Sequence, residues 1–283
     1  MSRPPAAVVV VGGGTMGAGI AHAFAAVGSS VVVLEADQDR ANAASQRIAG
    51  TLGKAEEKGK LASATEALGR VSAVTEAAEL PPDAALYVEA VPEDAALKSS
   101  VLRRLEAVAG ADAVLATNTS SLSVTNLAAS LERPERFCGM HFFNPVPASA
   151  LVELVHHPDT AAELLERVQG WVAALGKQAI VVRDSPGFAT SRLGVAVGLE
   201  AIRMVEEGVA SAEDIDAGMR LGYRWPMGPL RLTDLVGLDV RLGIASHLAS
   251  TLGPRFDPPA LLREMVARGE LGKKSGRGFY DWD

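Results

Sequence analysis

Three glycines, Gly12, Gly14 and Gly17, stand at the spacing G-x-G-x-x-G directly after the apolar run Val8 to Val11. In such a loop the first glycine allows a tight turn and the second lets a pyrophosphate approach the backbone. The third permits close helix–strand packing. A helix opening at Thr15 and Met16 would aim free N–H groups and its positive dipole end at the phosphates. Glu35 closes a second apolar run, about 20 residues on, where an acid can bind the ribose hydroxyls and disfavour a 2′-phosphate. The set predicts a dinucleotide site that prefers NAD to NADP. A plain turn beside a surface Glu35 is the alternative.

A second group suggests proton transfer. His141 closes the apolar segment before Asn144-Pro145-Val146-Pro147, which forces a loop. Glu153 lies in Leu151-Val152-Glu153-Leu154-Val155, apolar on both sides. A carboxylate buried there needs a partner, and His141 is the nearest candidate. Such a pair would set the imidazole tautomer and make its other nitrogen a general base. The alternative is an edge strand with Glu153 facing solvent. Asn118-Thr119-Ser120-Ser121 follows a fifth apolar run and offers hydrogen bonds to nicotinamide or substrate, or else an N-cap for a helix from Val124. Of the other histidines, His22 reads as core or helix surface, His156 and His157 as an exposed strand end, and His247 as partnerless on a helix.

Strands at 7–12, 30–35, 71–74, 85–90 and 112–117 would position these groups. Their continuous apolar runs fit a parallel sheet covered on both faces. Helical patterns between them give the β-α-β order of a doubly wound α/β fold. Further strands are expected at 136–141, 151–155 and 178–182. After Asp184-Ser185-Pro186-Gly187 the pattern turns helical, with at most one strand at the end. The segment 188–205 is apolar nearly all round, as in a helix enclosed by others or by a second subunit. Ser211 to Asp214 resembles a capping box, a helix follows Gly228-Pro229, and Pro258-Pro259 opens a last one. The expected division is 1–184 for a Rossmann-like dinucleotide domain and 185–283 for a helical substrate and dimerisation domain.

Composition narrows the function classes. The 283 residues are 48% apolar and 22% charged, which supports a proper core. With 27 basic and 34 acidic residues the net charge is -7, unlike a general nucleic-acid binder. The single cysteine, Cys138, excludes an internal disulfide and a cysteine-based zinc cluster, and suits a reducing cytoplasm. No metal site is expected. No targeting signal and no membrane-length apolar stretch is read.

Taken together, the motifs resemble one family. Gly12 to Ala21, Asn118-Thr119-Ser120-Ser121-Leu122, His141-Phe142-Phe143-Asn144-Pro145-Val146, Pro186-Gly187-Phe188 and Gly272 to Tyr280 occur in the order and spacing of L-3-hydroxyacyl-CoA dehydrogenases. Bacterial 3-hydroxybutyryl-CoA dehydrogenases match best in length. The resemblance implies an NAD domain, a helical domain that forms a homodimer, and a CoA thioester substrate, in fatty-acid metabolism and β-oxidation. It makes His141 the catalytic base, Glu153 its partner and Ser120 a hydrogen-bond donor to the reacting oxygen. Glu93, Lys98, Asn118 and the tail residue Lys274 match NAD-contacting positions. Asn144 matches a substrate position. Thr51 and Lys58 match positions that touch CoA, and Lys54, Lys58 and Lys60 form either a phosphate clamp or a solvated helix face. One catalytic position departs: Ser191 stands where the family usually has an Asn thought to hold substrate.

Other readings stay open at this point. One is a 3-hydroxyadipyl-CoA dehydrogenase of aromatic catabolism, favoured by a basic residue at the acyl end of the site. Another is a dehydrogenase of free hydroxy acids of the gulonate type. The non-enzymatic reading is an NAD-binding structural or sensor protein.

Overall fold

The computed structural model describes residues 3–283. The chain forms two compact units, the first ending at Asp184 and the second running Ser185–Asp283. The first unit runs β1 (Ala7–Val11), α1 (Thr15–Ala26), β2 (Ser30–Leu34), α2 (Gln38–Glu57), α3 (Ala64–Leu68), β3 (Val71–Val74) and β4 (Leu86–Glu89). It continues through α4 (Ala95–Val108), β5 (Val114–Thr117), α5 (Val124–Ala128), β6 (Phe137–Phe142), β7 (Leu151–His156), α6 (Ala162–Ala174) and β8 (Gln178–Arg183).

The eight strands build one sheet in the order β3-β2-β1-β4-β5-β6-β7-β8. Neighbours are parallel except β6 and β7, which are antiparallel. Every residue of β4, β5 and β6 is buried, as mostly apolar runs require of strands covered on both faces, and the burial extends to Glu89, Thr117 and His141. The strand order reverses between β1 and β4. The loops after these strands leave for opposite faces and open a crevice at their carboxyl ends, where doubly wound sheets bind ligands. The glycine loop and the segment 90–93 lie there.

The second unit contains α7 (Thr190–Glu206), α8 (Ala212–Ala217), α9 (Pro229–Val236), α10 (Leu238–Leu252) and α11 (Ala260–Ala267). Its core joins Val195, Leu199 and Ile202 of α7 to Leu230, Leu238, Leu248 and Leu262. Two buried acids tie down the chain end. Asp216 accepts from the Leu230 and Arg231 amides and the Tyr280 hydroxyl, each at 2.8 Å. Asp234 accepts from the Phe279 and Tyr280 amides and from Trp282 Nε1. Among the described residues no helix is long and apolar enough to cross a membrane.

Several local expectations are corrected. His157 is buried, because the turn at Pro158 folds it inward, where its Nε2 lies 3.1 Å from the Pro134 carbonyl. Ser123, two residues past the Asn118–Ser121 loop, is the N-cap of α5. Ser211 does cap α8, but the Asp214 carboxylate accepts from the Ser211 hydroxyl instead of its backbone amide, so the box is incomplete. Pro259 is the cap residue before α11, one position short of its first turn. The chain end makes only isolated bridges, between Gly272 and Arg277 and between Arg277 and Asp281. The helical unit itself covers one side of α7 only: Leu193 remains 67% exposed.

Candidate active site

The antiparallel pairing of β6 with β7 sets His141 directly opposite Glu153. Glu153 is fully buried, which removes the solvent-facing alternative. Its Oε2 lies 2.7 Å from His141 Nδ1. A carboxylate can only accept, so Nδ1–H donates and Nε2 is left as the basic nitrogen.

The Asn118–Ser121 loop is held from two sides. Asn118 Oδ1 accepts from the Phe142 amide at 3.0 Å, joining the loop to the residue after His141. Glu93 Oε1 accepts from the Thr119 hydroxyl at 2.6 Å, the Ser120 and Ser121 amides at 3.0 Å and the Ser121 hydroxyl at 2.9 Å. Burial acts to raise the Glu93 pKa. The Thr119 hydrogen bond, the Lys98 charge and the serine donors outweigh it and hold the group at about 2. Lys98 is itself buried and pairs with Glu89 at 2.7 Å and Glu93 at 3.3 Å. Glu89, fully buried at the end of β4, also accepts from the Thr117 hydroxyl and the Val91 amide. Removing one member of such a buried pair strands the other, at about 3–5 kcal/mol.

At the glycine loop, Glu35 Oε1 accepts from the Gly13 amide at 2.6 Å, and Arg47 donates to the Gly13 carbonyl at 2.6 Å. Gly12, Gly14, Thr15, Met16 and Glu35 line a cleft of about 750 Å³. A second hollow of about 370 Å³ is lined by Glu93, Lys98, Asn118, Ser120, His141 and Asn144. Met16, Ala90 and Val91 line both, so the two are continuous.

The remaining candidates lie elsewhere in their units. The Thr51 hydroxyl is 3.0 Å from His22 Nδ1 and donates to the Ile48 carbonyl. Lys58 is exposed at the end of α2. Ser191 is half-buried in the first turn of α7. Lys274 pairs with Asp239 at 2.5 Å. Cys138 is fully buried, which pushes its thiol up to about 12 and makes it inert.

Residues 7–185 match the family described as "3-hydroxyacyl-CoA dehydrogenase, NAD binding domain", and residues 187–282 match "3-hydroxyacyl-CoA dehydrogenase, C-terminal domain". The chain belongs to the 3-hydroxyacyl-CoA dehydrogenase family. The 3-hydroxybutyryl-CoA dehydrogenase of Mycobacterium tuberculosis is 44% identical over 280 residues, 97% of this chain and 98% of the relative. The mitochondrial hydroxyacyl-coenzyme A dehydrogenase of Sus scrofa is 40% identical over 97% of this chain and 90% of its own. The crystal structure of (S)-3-hydroxybutyryl-CoA dehydrogenase from Ralstonia eutropha superposes with a TM-score of 0.92 at 40% identity, covering 99% of both chains.

NAD is the cofactor of this family's N-terminal domain, and the loop fits it. A Cβ on Gly17 would meet the Gly12 carbonyl oxygen at 1.7 Å, so the fold itself demands that glycine. A Cβ on Gly14 would meet nothing within 4 Å. That open space is what a pyrophosphate approaching the backbone would need.

Reasoning from sequence missed two residues of this dehydrogenase. Glu89 supports Lys98, and its signal was the one that singled out Glu153: an acid inside an apolar strand. Lys177 is buried and donates to the Val146 and Ser149 carbonyls, pinning the loop that follows His141. Nothing in its local sequence marks it.

Three predictions follow from this geometry. Gly17→Ala loses about 1–3 kcal/mol in urea unfolding, the usual range for an overpacked site. Gly14→Ala unfolds like wild type yet binds NADH at least about tenfold more weakly by fluorescence titration, or about 1.4 kcal/mol. For Glu93, a folded-state pKa of about 2 against an ordinary 4.5 means its stabilisation is complete above 4.5 and is lost as pH falls toward 2. The stability gap between wild type and Glu93→Gln therefore narrows over that window.

Proposed function

We propose that this chain catalyses the reversible oxidation of L-3-hydroxyacyl-CoA to 3-ketoacyl-CoA, with 3-hydroxybutyryl-CoA as the reference short-chain substrate. The observation that carries it is the 2.7 Å His141–Glu153 pair lining one hollow with Ser120 and Asn118, continuous with the dinucleotide cleft. Bound at the glycine loop, NAD would supply the hydride acceptor for C3. His141 Nε2 removes the C3 hydroxyl proton and returns it in the reverse direction. Glu153 stabilises the imidazolium, which a buried carboxylate does strongly. The Ser120 hydroxyl hydrogen-bonds the reacting oxygen, from a loop whose position Glu93 fixes.

Gly12, Gly14, Thr15, Met16 and Gly17 are assigned to the pyrophosphate and Glu35 to the ribose. Glu93, Lys98 and Asn118 are assigned to the nicotinamide end. Asn144 is assigned to substrate, and Thr51 and Lys58 to CoA. Ser191 takes the place of the family Asn with a shorter arm. The Lys274 contact with cofactor rests on the resemblance alone, since Asp239 pairs with it in its own unit.

The protein is also assigned to the cytoplasm, on its single buried cysteine, and to a homodimer. Supporting the dimer, Leu232, Leu235, Val236 and Val240 of α9 and α10 are 38–44% exposed, an apolar face that a second copy would cover.

His141→Gln is expected to lower acetoacetyl-CoA reduction by about 10²–10⁴-fold, the usual worth of a general base or acid, while NADH still binds. Retention of most of the turnover overturns the assignment. Light scattering should give twice the 29.4 kDa chain mass for wild type. The same measurement on Leu235→Glu/Val240→Glu should shift toward one chain.

A further inference from the structure

Arg241, in the first turn of α10, is 5% exposed. Its Nε has no hydrogen-bond partner among the described residues. No acid of the helical unit neutralises it: Asp216 and Asp234 are taken by backbone amides and aromatic donors, and Asp239 by Lys274. Burial pushes its pKa down to about 10, with no opposing charge to hold it up. A buried charge without a partner is costly, so this guanidinium is disposed to take an anionic ligand.

The guanidinium lies along a glycine face of α7. A Cβ built on Gly194 would stand 3.6 Å from Arg241 Nη1, and one on Gly198 would stand 3.6 Å from its Cζ and Nε. Ser191, Gly194 and Gly198 are spaced i, i+3 and i+7, on one helical face. The resemblance assigns Ser191 to substrate in place of the family Asn, and Gly194 lies about 4.5 Å further along the axis. Three carbon–carbon bonds beyond C3, each about 1.5 Å, span a similar distance.

We infer that Arg241 binds a carboxylate at the far end of the acyl chain, so that the preferred substrate is a 3-hydroxyacyl-CoA whose acyl group is a dicarboxylic acid of about six carbons. A guanidinium recognises a carboxylate through two parallel N–H···O bonds. The charge that the fold leaves unmatched is then matched by the ligand. The inference rests on the dehydrogenase reading above, because Ser191 locates the acyl group only through it.

The test compares NADH-dependent reduction of 3-oxoadipyl-CoA and 3-oxohexanoyl-CoA by the full-length protein. These probes share their length and differ in the terminal carboxylate. Wild type is expected to favour the dicarboxylic substrate at least about tenfold in kcat/KM, since a site built for a polar group rejects the analogue lacking it. In Arg241→Met that ratio should fall to about one or below, and Arg241→Lys should keep part of it. Equal efficiency of wild type on both six-carbon substrates overturns the inference, and this holds even where Arg241→Met fails to fold. So does a folded Arg241→Met protein that keeps the wild-type ratio. Acetoacetyl-CoA separates the two levels: reduction of it without selectivity between the longer pair sinks only the carboxylate site. No reduction of any of the three sinks the dehydrogenase reading itself.

Discussion

The register of one antiparallel strand pair governs the candidate chemistry. β6 and β7 face each other so that His141 opposes Glu153. A slip of one residue would turn Glu153 to the other face of the sheet and strand a carboxylate in a dry interior. The apolar residues flanking both groups hold the register, because any shift would also misplace Met140, Leu154 and Val152, all buried. Packing therefore sets the tautomer of the imidazole. The sheet is otherwise parallel across β3 to β6, and the single reversal after β6 brings a strand back beside the histidine within a short loop.

A second layer of buried charge organises what surrounds that pair. Glu89 anchors Lys98, Lys98 neutralises Glu93, and Glu93 gathers the amides and hydroxyls of residues 119–121. Each member would be expensive alone, and together they convert the carboxyl end of β4 into a rigid seat for Ser120. Asn118 extends this seat to the Phe142 amide, so the Asn118–Ser121 loop and the histidine strand are parts of one hydrogen-bonded assembly. Glu35 and Arg47 do the corresponding work on the glycine loop.

The helical unit uses its charges differently. Asp216 and Asp234 satisfy backbone amides and aromatic donors and bind the final residues to α8 and α9. Arg241 is the exception, a cation enclosed without an answering acid. Its neighbours Gly194 and Gly198 carry no side chain that could replace one.

The amino-acid sequence by itself determined much of this protein. Short apolar runs bounded by turn residues fit strands, so all eight strands were legible to within one or two residues at their ends, although β8 proves half-exposed, with Val181 at 41%. The glycine spacing, Glu35 and the order of five motifs carried the dinucleotide fold and the family. What the sequence left open were contacts between groups distant along the chain. Whether Glu153 faced His141 or solvent depended on register, and local patterning is the same in both cases. Glu89 and Lys177 were passed over because one looks like a strand residue and the other like a surface lysine until the fold encloses them. His157 read as exposed for the same reason, since a short turn after Pro158 carried it inward. Arg241 shows the limit most clearly. In sequence it is one arginine among many, and only the packing of α10 on the glycine face of α7 removes it from water and leaves it unpaired with any acid among the described residues.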